Sequence, residues 1–544
     1  MKRFYCYWVI MLVLASTACR KQPVQTADIE ITSSVIHVAN DKKYTKQITA
    51  TIKNSSTVVN ITWTSANTSI ANVNQQGFIA GLAPGTTEIT ATVSNGGASA
   101  KVKVVVYDTL DYKYRLVLKN RGPVLHSLSN PSSYLSARAI ARRNKMNIAI
   151  DSSDIPISAQ YLSQIENAGG KIVAKSKWLK TVSVQCHDAA TLDKLKTLPF
   201  VLEGELVWTG KKDTATFFRK EIATTAFTHP RSVHTPEIYG DAWFNISIVK
   251  GQFLHNAGYK GNGIQIAVLD AGFTNLKNNP ALNNINILGA KSFVQEKHDP
   301  YATGNHGVYV TSCMATNRPG TYIGTAPEAG YWLFMTEDES SEYPIEEDYW
   351  VAALEYADSA GVDVVNTSLG YDEYDPPARS HVYGDLDGKT TQAAKGAKFG
   401  AAKGMVLVVS AGNESRFVGT PADSPDVLSV GAIDRNLNIA AFSSYGMTVD
   451  GRIKPDVVAL GARTAVIDLA GNSVQGSGTS FAGPVMCGLA ACLWQAYPNL
   501  SNRELITAII QSSNRYIAPL LPYGYGIPDM EKAMQIAAIL NAGR

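Results

Sequence analysis

Four short segments of this chain set a chemically capable side chain among glycines and other small residues. The apolar run from Ile264 to Leu269 ends in the carboxylate of Asp270, followed by Ala271 and Gly272. Gly304-Asn305-His306-Gly307 opens a stretch to Thr316 with helical periodicity, whose buried stripe would be Val310, Cys313 and Met314. A second apolar run, Met405–Val409, leads through Ser410-Ala411-Gly412 to the amide of Asn413. Gly476-Ser477-Gly478-Thr479-Ser480 then enters a predicted helix, and Pro484 fits there only because it lies in the first turn.

These residue types form a working set. A serine hydroxyl at its ordinary pKa is a poor nucleophile, so a neutral imidazole must take its proton during attack. A buried carboxylate must hold that imidazole in one tautomer and stabilise its charged form. The anionic oxygen of a tetrahedral intermediate needs donors already in place. The Ser480 amide at a helix N-terminus can supply one, and the Asn413 side chain another. A lone Asp, His or Ser would mean nothing. The other histidines (His37, His126, His187, His229, His234, His255, His298 and His381) lack a matching context and read as surface residues. Serine last in chain order, with Ala482 where an elbow would need glycine, excludes the G-x-S-x-G hydrolases.

The elements that must position this set read as parallel α/β from about 238 to 543. Runs at 264–269, 362–365, 405–409 and 428–430 look like strands buried on both faces. They alternate with helical stretches at 349–360 and 391–403, which implies a doubly wound, mostly parallel sheet. Such sheets gather reactive groups at the carboxyl ends of their strands. Residues 112–209 read as β-α-β-β-α-β, a ferredoxin-like α+β unit, with an additional helix around 136–145. Residues 26–107 alternate apolar and polar residues with turn signals, as a small β-sandwich would. Between 210 and 237 the chain is basic and unpatterned, a linker suited to proteolytic maturation.

The remaining features bound the setting. Lys2 and Arg3, an apolar run to Ala15 and small residues up to Ala18 read as a signal peptide over 1–18. Cys19 follows directly, as in a lipobox, although Ser16 stands where leucine is usual. This predicts lipidation at Cys19 and a place in the cell envelope, on the periplasmic or outer face, or release after processing. The formal charge of +3 gives no reason to expect nucleic-acid binding. Cys186, Cys313, Cys487 and Cys492 fit no metal or disulfide spacing and read as buried free thiols.

The four segments, in the order Asp, His, Asn, Ser, resemble the signatures of the subtilisin-like serine proteases. Asn366-Thr-Ser-Leu-Gly370, Phe442–Gly446 and Lys454–Ala459 stand at family-like places as well. Ala271, Val308 and Leu460 depart from the usual residues, but none of them transfers protons. The resemblance implies an endopeptidase acting on proteins or peptides through an acyl-enzyme. Asp270, His306 and Ser480 would be its triad, with Asn413 and the Ser480 amide as oxyanion donors. Ser368, Leu369, Gly370, Ala411 and Gly412 would bind substrate. It further implies that 112–209 is an inhibitory propeptide, against the alternative of a permanent accessory domain. No cofactor is required, although relatives use structural Ca²⁺ and Asp385-Leu-Asp387-Gly388 could bind one. Ile61–Thr86 resembles group 2 bacterial Ig-like modules, with Trp63 as core aromatic.

Carboxylates crowd the segments near the expected cleft: Glu337, Asp338, Glu339, Glu342, Glu346–Asp348, Asp372, Glu373 and Asp375. They allow two readings, a groove preferring basic substrates or a solvated charged loop. Two rival functions also stand: an adhesin on an inactive protease scaffold, and an esterase or lipase.

Overall fold

A computed structural model describes residues 28–543 except 32–34, 41–44, 54–59, 95–97, 108–111, 124, 187–188, 210–224, 227–236, 296 and 376–377. The signal segment 1–18, Cys19 and most of the linker 210–237 lie outside the described residues. The chain divides into two compact units, Met1–Thr109 and Leu110–Arg544. No helix among the described residues is long and apolar enough to cross a membrane.

Among its described residues the first unit is all β. Val35–Ala39, Ser99–Tyr107, Gly85–Val93 and Ile61–Ser65 form one sheet in that order, and Thr45–Gln47, Phe78–Gly81 and Ala71–Val73 another. Alternate residues along Gly85–Val93 point inward, so Thr87, Ile89, Ala91 and Val93 are buried. They share a core with Trp63, Ile79 and Val104. Gly77 turns with φ +79°, and a Cβ there would sit 2.5 Å from the Ile48 carbonyl oxygen.

Elements of the second unit are numbered from its start. Residues 112–209 supply β1 (Tyr112–Leu118), α1 (Ala137–Lys145), α2 (Ala159–Asn167), β2 (Lys171–Ser176), β3 (Thr181–Cys186), α3 (Ala189–Lys196) and β4 (Val201–Thr209). The four strands form an antiparallel sheet in the order β2-β3-β1-β4. Its apolar face, with Leu116, Val182 and Val184, closes on Ile165 of α2 and on Leu192 and Leu195 of α3.

The larger part carries a seven-stranded parallel sheet. Its elements are β5 (Gln265–Asp270), β6 (Asn286–Ser292), α4 (His306–Ala315), β7 (Gly330–Met335), α5 (Ile345–Ala360), β8 (Val364–Thr367), α6 (Gln392–Ala402), β9 (Val406–Ser410), β10 (Leu428–Ile433) and β11 (Val457–Leu460). The strand order is β6-β7-β5-β8-β9-β10-β11, with every pair parallel. A hairpin of β12 (Thr464–Ile467) and β13 (Ser473–Gly476) leads into α7 (Thr479–Ala496), α8 (Asn502–Ser512) and α9 (Met530–Ala542). Strand residues alternate between two cores. Ile266, Val268, Val364, Val408 and Val430 face α4, α7, α8 and α9. Ala267, Leu269, Val365, Leu407 and Val409 face α5 and α6. This is the doubly wound arrangement the patterning predicts.

Residues 112–209 meet α5 through charged groups that the sequence shows only as scattered residues. At the start of α5, Arg115 donates to Asp348 at 2.7 Å and to the Pro344 carbonyl at 3.1 Å. Midway along, the Glu355 carboxylate accepts from the Ser176 hydroxyl at 2.5 Å and from the Lys177 and Trp178 amides at 3.0 Å each. At its end, Asp358 pairs with Arg142 at 2.5 Å and Arg143 at 2.8 Å, while Asp154 takes Arg143 at 3.1 Å and Lys403 at 2.9 Å. All five of these side chains are at most 4% exposed, so each charge depends on its partners for solvation.

Candidate active site

Asp270 ends β5 at the point where the chain order of the sheet reverses, since β6 and β7 lie to one side of β5 and β8–β11 to the other. Its side chain is fully buried, and Oδ1 accepts from the Ala271 amide at 2.8 Å. His306, the first residue of α4, reaches the same oxygen through Nδ1 at 2.7 Å. Two glycines allow this approach. Gly272 has φ +139°, and a Cβ on it would sit 2.0 Å from the Thr303 carbonyl oxygen. Gly304 has φ +76°, and a Cβ there would come 2.2 Å from the Ala271 carbonyl oxygen. Any side chain at either position would push the two strand-end loops apart.

The edges of β8 and β9 support the serine. Ser480 sits in the first turn of α7, is 7% exposed, and has its Oγ 3.4 Å from the Ser368 carbonyl oxygen. The Ser368 hydroxyl donates in turn to the Ser480 carbonyl at 3.0 Å and accepts from the Asn366 amide side chain at 3.0 Å. Ser410 Oγ donates to the Thr479 carbonyl at 3.0 Å. Phe481 brings its ring to 6.2 Å from the His306 imidazole, so the start of α7 stands against the start of α4.

Asn413 is held by its carbonyl end. Oδ1 accepts from the Thr479 amide at 2.9 Å and the Thr479 hydroxyl at 3.0 Å, while Glu414 Oε2 accepts from the Asn413 backbone amide at 2.7 Å. The Nδ2 group therefore turns toward Gly478 and Ser480, 3.8 Å from where a Cβ on Gly478 would lie. No sequence signal marks Thr479, Ser410 and Glu414 for these contacts, although Thr479 stands beside Ser480 within its motif.

The residues expected to bind substrate flank this site. Leu369 is buried and Gly370 exposed where the chain leaves β8. Ala411 pairs its amide with the Val430 carbonyl at 3.0 Å, and the Gly412 amide donates to Thr479 Oγ1 at 3.2 Å.

Several expectations need correction. Glu346, Glu347 and Asp348 do not form a charged loop; they are buried in the first turn of α5. Glu347 accepts from His381 Nε2 at 2.8 Å, from the Tyr374 hydroxyl and from the Ala393 amide at 2.7 Å each, and Asp348 takes Arg115. Asp372 and Glu373 share Arg416, at 2.7 and 2.8 Å. His255 is not a surface residue: it is buried between the Tyr239 hydroxyl and the Thr325 carbonyl, and burial lowers its pKa to about 4. His381 is likewise largely enclosed, and its bond to Glu347 raises its pKa despite desolvation.

In the segment suggested for Ca²⁺, both carboxylates take local hydrogen bonds. Asp387 accepts from the Lys389 and Thr390 amides, and Asp385 is taken by Val382 and Arg379. Elsewhere Glu337, Glu342 and Glu346 bring carboxylate oxygens within 4.8 Å of one another, with the Tyr371 hydroxyl donating to Glu337 at 2.6 Å. The four described cysteines are buried, and no disulfide joins them to one another.

Comparison with known proteins accords with this geometry. Residues 261–526 match the subtilase family, 113–223 the Peptidase S8 propeptide domain of Bacteroidota, and 25–104 the group 2 bacterial Ig-like domain. Subtilisin E of Bacillus subtilis is 28% identical over 388 residues, covering 70% of this chain and 87% of that protein. Subtilisin of Bacillus pumilus is 29% identical over 302 residues, covering 54% of this chain and 98% of that protein. Human membrane-bound transcription factor site-1 protease is 26% identical over 477 residues, covering 83% of this chain and 42% of that protein. The chain therefore belongs to the subtilases through its residues 261–526, a serine-type endopeptidase preceded by an S8 propeptide domain and a group 2 Ig-like domain.

Proposed function

We propose that Ser480 attacks the scissile carbonyl while His306 takes its proton at Nε2, with Asp270 holding the imidazole so that Nδ1 carries the other proton. The tetrahedral oxyanion is received by Asn413 Nδ2 and the Ser480 amide. His306 then protonates the leaving amine, and a water repeats the sequence on the acyl-enzyme. Every proton carrier and charge stabiliser in this scheme is a group of the chain. The observation that carries it is the 2.7 Å bond between His306 Nδ1 and Asp270 Oδ1, made by a carboxylate with no exposure to water.

Substrate would lie along 368–370 on one side and 411–412 on the other. Residues 112–209 act as a ferredoxin-like inhibitory prodomain, a role supported by the propeptide match and by the buried contacts to α5. Export with acylation at Cys19 completes the reading, and the Ig-like unit serves as a spacer. A fluorophosphonate probe should label the processed protein, and Ser480→Ala should abolish both labelling and casein hydrolysis. Labelling that survives Ser480→Ala would overturn the assignment. Radiolabelled palmitate incorporation, lost in Cys19→Ser, tests the anchor.

A further inference from the structure

Beyond Gly370 and Asn413, the two stretches proposed to hold substrate run together. Tyr371 and Thr420 exchange backbone hydrogen bonds of 2.8 and 3.1 Å in an antiparallel bridge. A Cβ on Gly419 would meet the Tyr371 carbonyl oxygen at 3.1 Å and the Asp372 Cβ at 3.7 Å. The groove between them therefore closes at this point, and charged groups stand around the closure.

Three carboxylates and one cation meet there. Asp372 and Glu373 leave one wall, Glu414 leaves the other directly after Asn413, and Arg416 spans the two. A single Arg416 nitrogen, Nη2, serves Asp372 Oδ2 at 2.7 Å and Glu373 Oε1 at 2.8 Å. Its Nε is buried with no hydrogen-bond partner among the described residues, and its guanidinium lies 5.2 Å from the Phe417 ring. Glu414 Oε2 accepts from the Asn413 amide and the Ser444 hydroxyl, while Arg416 is the counter-ion of Asp372 and Glu373 on the opposite wall. The Asp372 side chain is 19% exposed; burial raises its pKa most, Arg416 opposes that, and Glu414 and Glu373 push it further up. Asn413, the proposed oxyanion donor, directly precedes Glu414, so the substrate residue that carries the scissile carbonyl (P1) would stand beside this cluster. Without the arginine, clustered acid would sit where a cationic P1 side chain could neutralise it.

We infer that Arg416 sets the charge preference at P1, occupying the acids of one wall so that basic side chains lose the partners they would otherwise find. The inference rests on the proposed substrate groove between 368–370 and 411–412, and it makes Arg416 a specificity determinant in addition to a tie between the walls.

The test is steady-state cleavage, by processed enzyme made from the full chain, of a peptide series differing only at P1. Arg416→Met should raise kcat/KM for P1 Lys and Arg about tenfold relative to P1 Leu, the size of one close charge pair at partial exposure. The paired substitution Asp372→Asn with Glu373→Gln should do the reverse, leaving Arg416 unmatched and improving P1 Asp and Glu. That second variant keeps the idea open to refutation should Arg416→Met fold poorly. Gly370→Val serves as a control on the groove itself. If Gly370→Val alters P1 size preference while neither charge variant moves the Lys-to-Leu or Asp-to-Leu ratio beyond twofold, the role of Arg416 is refuted and the groove stands. If all three leave the P1 profile unchanged, the groove assignment fails with it.

Discussion

His306 Nδ1 and Asp270 Oδ1 are 2.7 Å apart, while the second oxygen of Asp270 is buried with no hydrogen-bond partner among the described residues. The imidazole thus orients on one oxygen, which also receives the Ala271 amide. An acceptor at that point selects, for the neutral ring, the tautomer with its proton on Nδ1, which leaves the Nε2 lone pair for the proposed role as base.

Replacing Asp270 with Asn preserves the shape and removes that instruction, because an amide can present its own N–H to Nδ1. The expected loss in kcat is about 10⁴-fold, as for the equivalent change in another triad protease. Peptide-anilide hydrolysis measures it, and a loss below tenfold would contradict the assigned role.

Asn413→Ala removes one proposed oxyanion donor while leaving the proposed nucleophile and base in place. A fall of about 10² to 10³ in kcat is expected, a size established for the corresponding donor of subtilisin. KM should change little, since the donor acts on charge that develops only in the transition state.

The charges between the propeptide domain and α5 are expected to be strongly coupled. Asp358→Ala, made in the Ser480→Ala chain, leaves Arg142 and Arg143 buried without their shared partner. A buried pair broken from one side costs ~3–5 kcal/mol. Chemical denaturation should report that loss, and a triple variant that also replaces Arg142 and Arg143 with Met should recover part of it.

The His381–Glu347 bond gives the loop after β8 a pH window. The pKa of His381 is raised in the folded protein, so its contribution is complete below its ordinary value near 6.5 and fades as pH rises through the raised one. The pKa of Glu347 is lowered, so its contribution is complete above about 4.5 and fades in acid. Wild type should therefore exceed His381→Gln in thermal stability by the widest margin between about pH 4.5 and 6.5. An equal margin at pH 9 would refute the pairing.

Burial of Cys313 pushes its thiol up to about 12, and Cys487 and Cys492 are raised by the same desolvation. None of these three should react with a maleimide in the native enzyme, and all should react once it is unfolded. Mass spectrometry distinguishes the two states.

Much of the site was legible because its parts are local. Each of Asp270, His306, Asn413 and Ser480 lies at the end of an element whose periodicity is visible in one short stretch, with glycines beside it. Glu347 and Asp348 are illegible in the sequence for the opposite reason. Their partners are His381 and Arg115, the latter 233 residues away, and no window of sequence shows that a carboxylate has a distant counter-charge. The same holds for His255, whose enclosure by Tyr239 and Thr325 exists only once the chain is packed.

What the sequence by itself determined is the class of enzyme, a serine endopeptidase, and the parallel sheet that carries it, because strand and helix periods and turn glycines are encoded within a few residues. What only the tertiary structure decided is which charges are spent and which remain. Arg416, Glu355 and Asp358 acquire their partners through folding, since electrostatic energy depends on distance and burial and not on order along the chain.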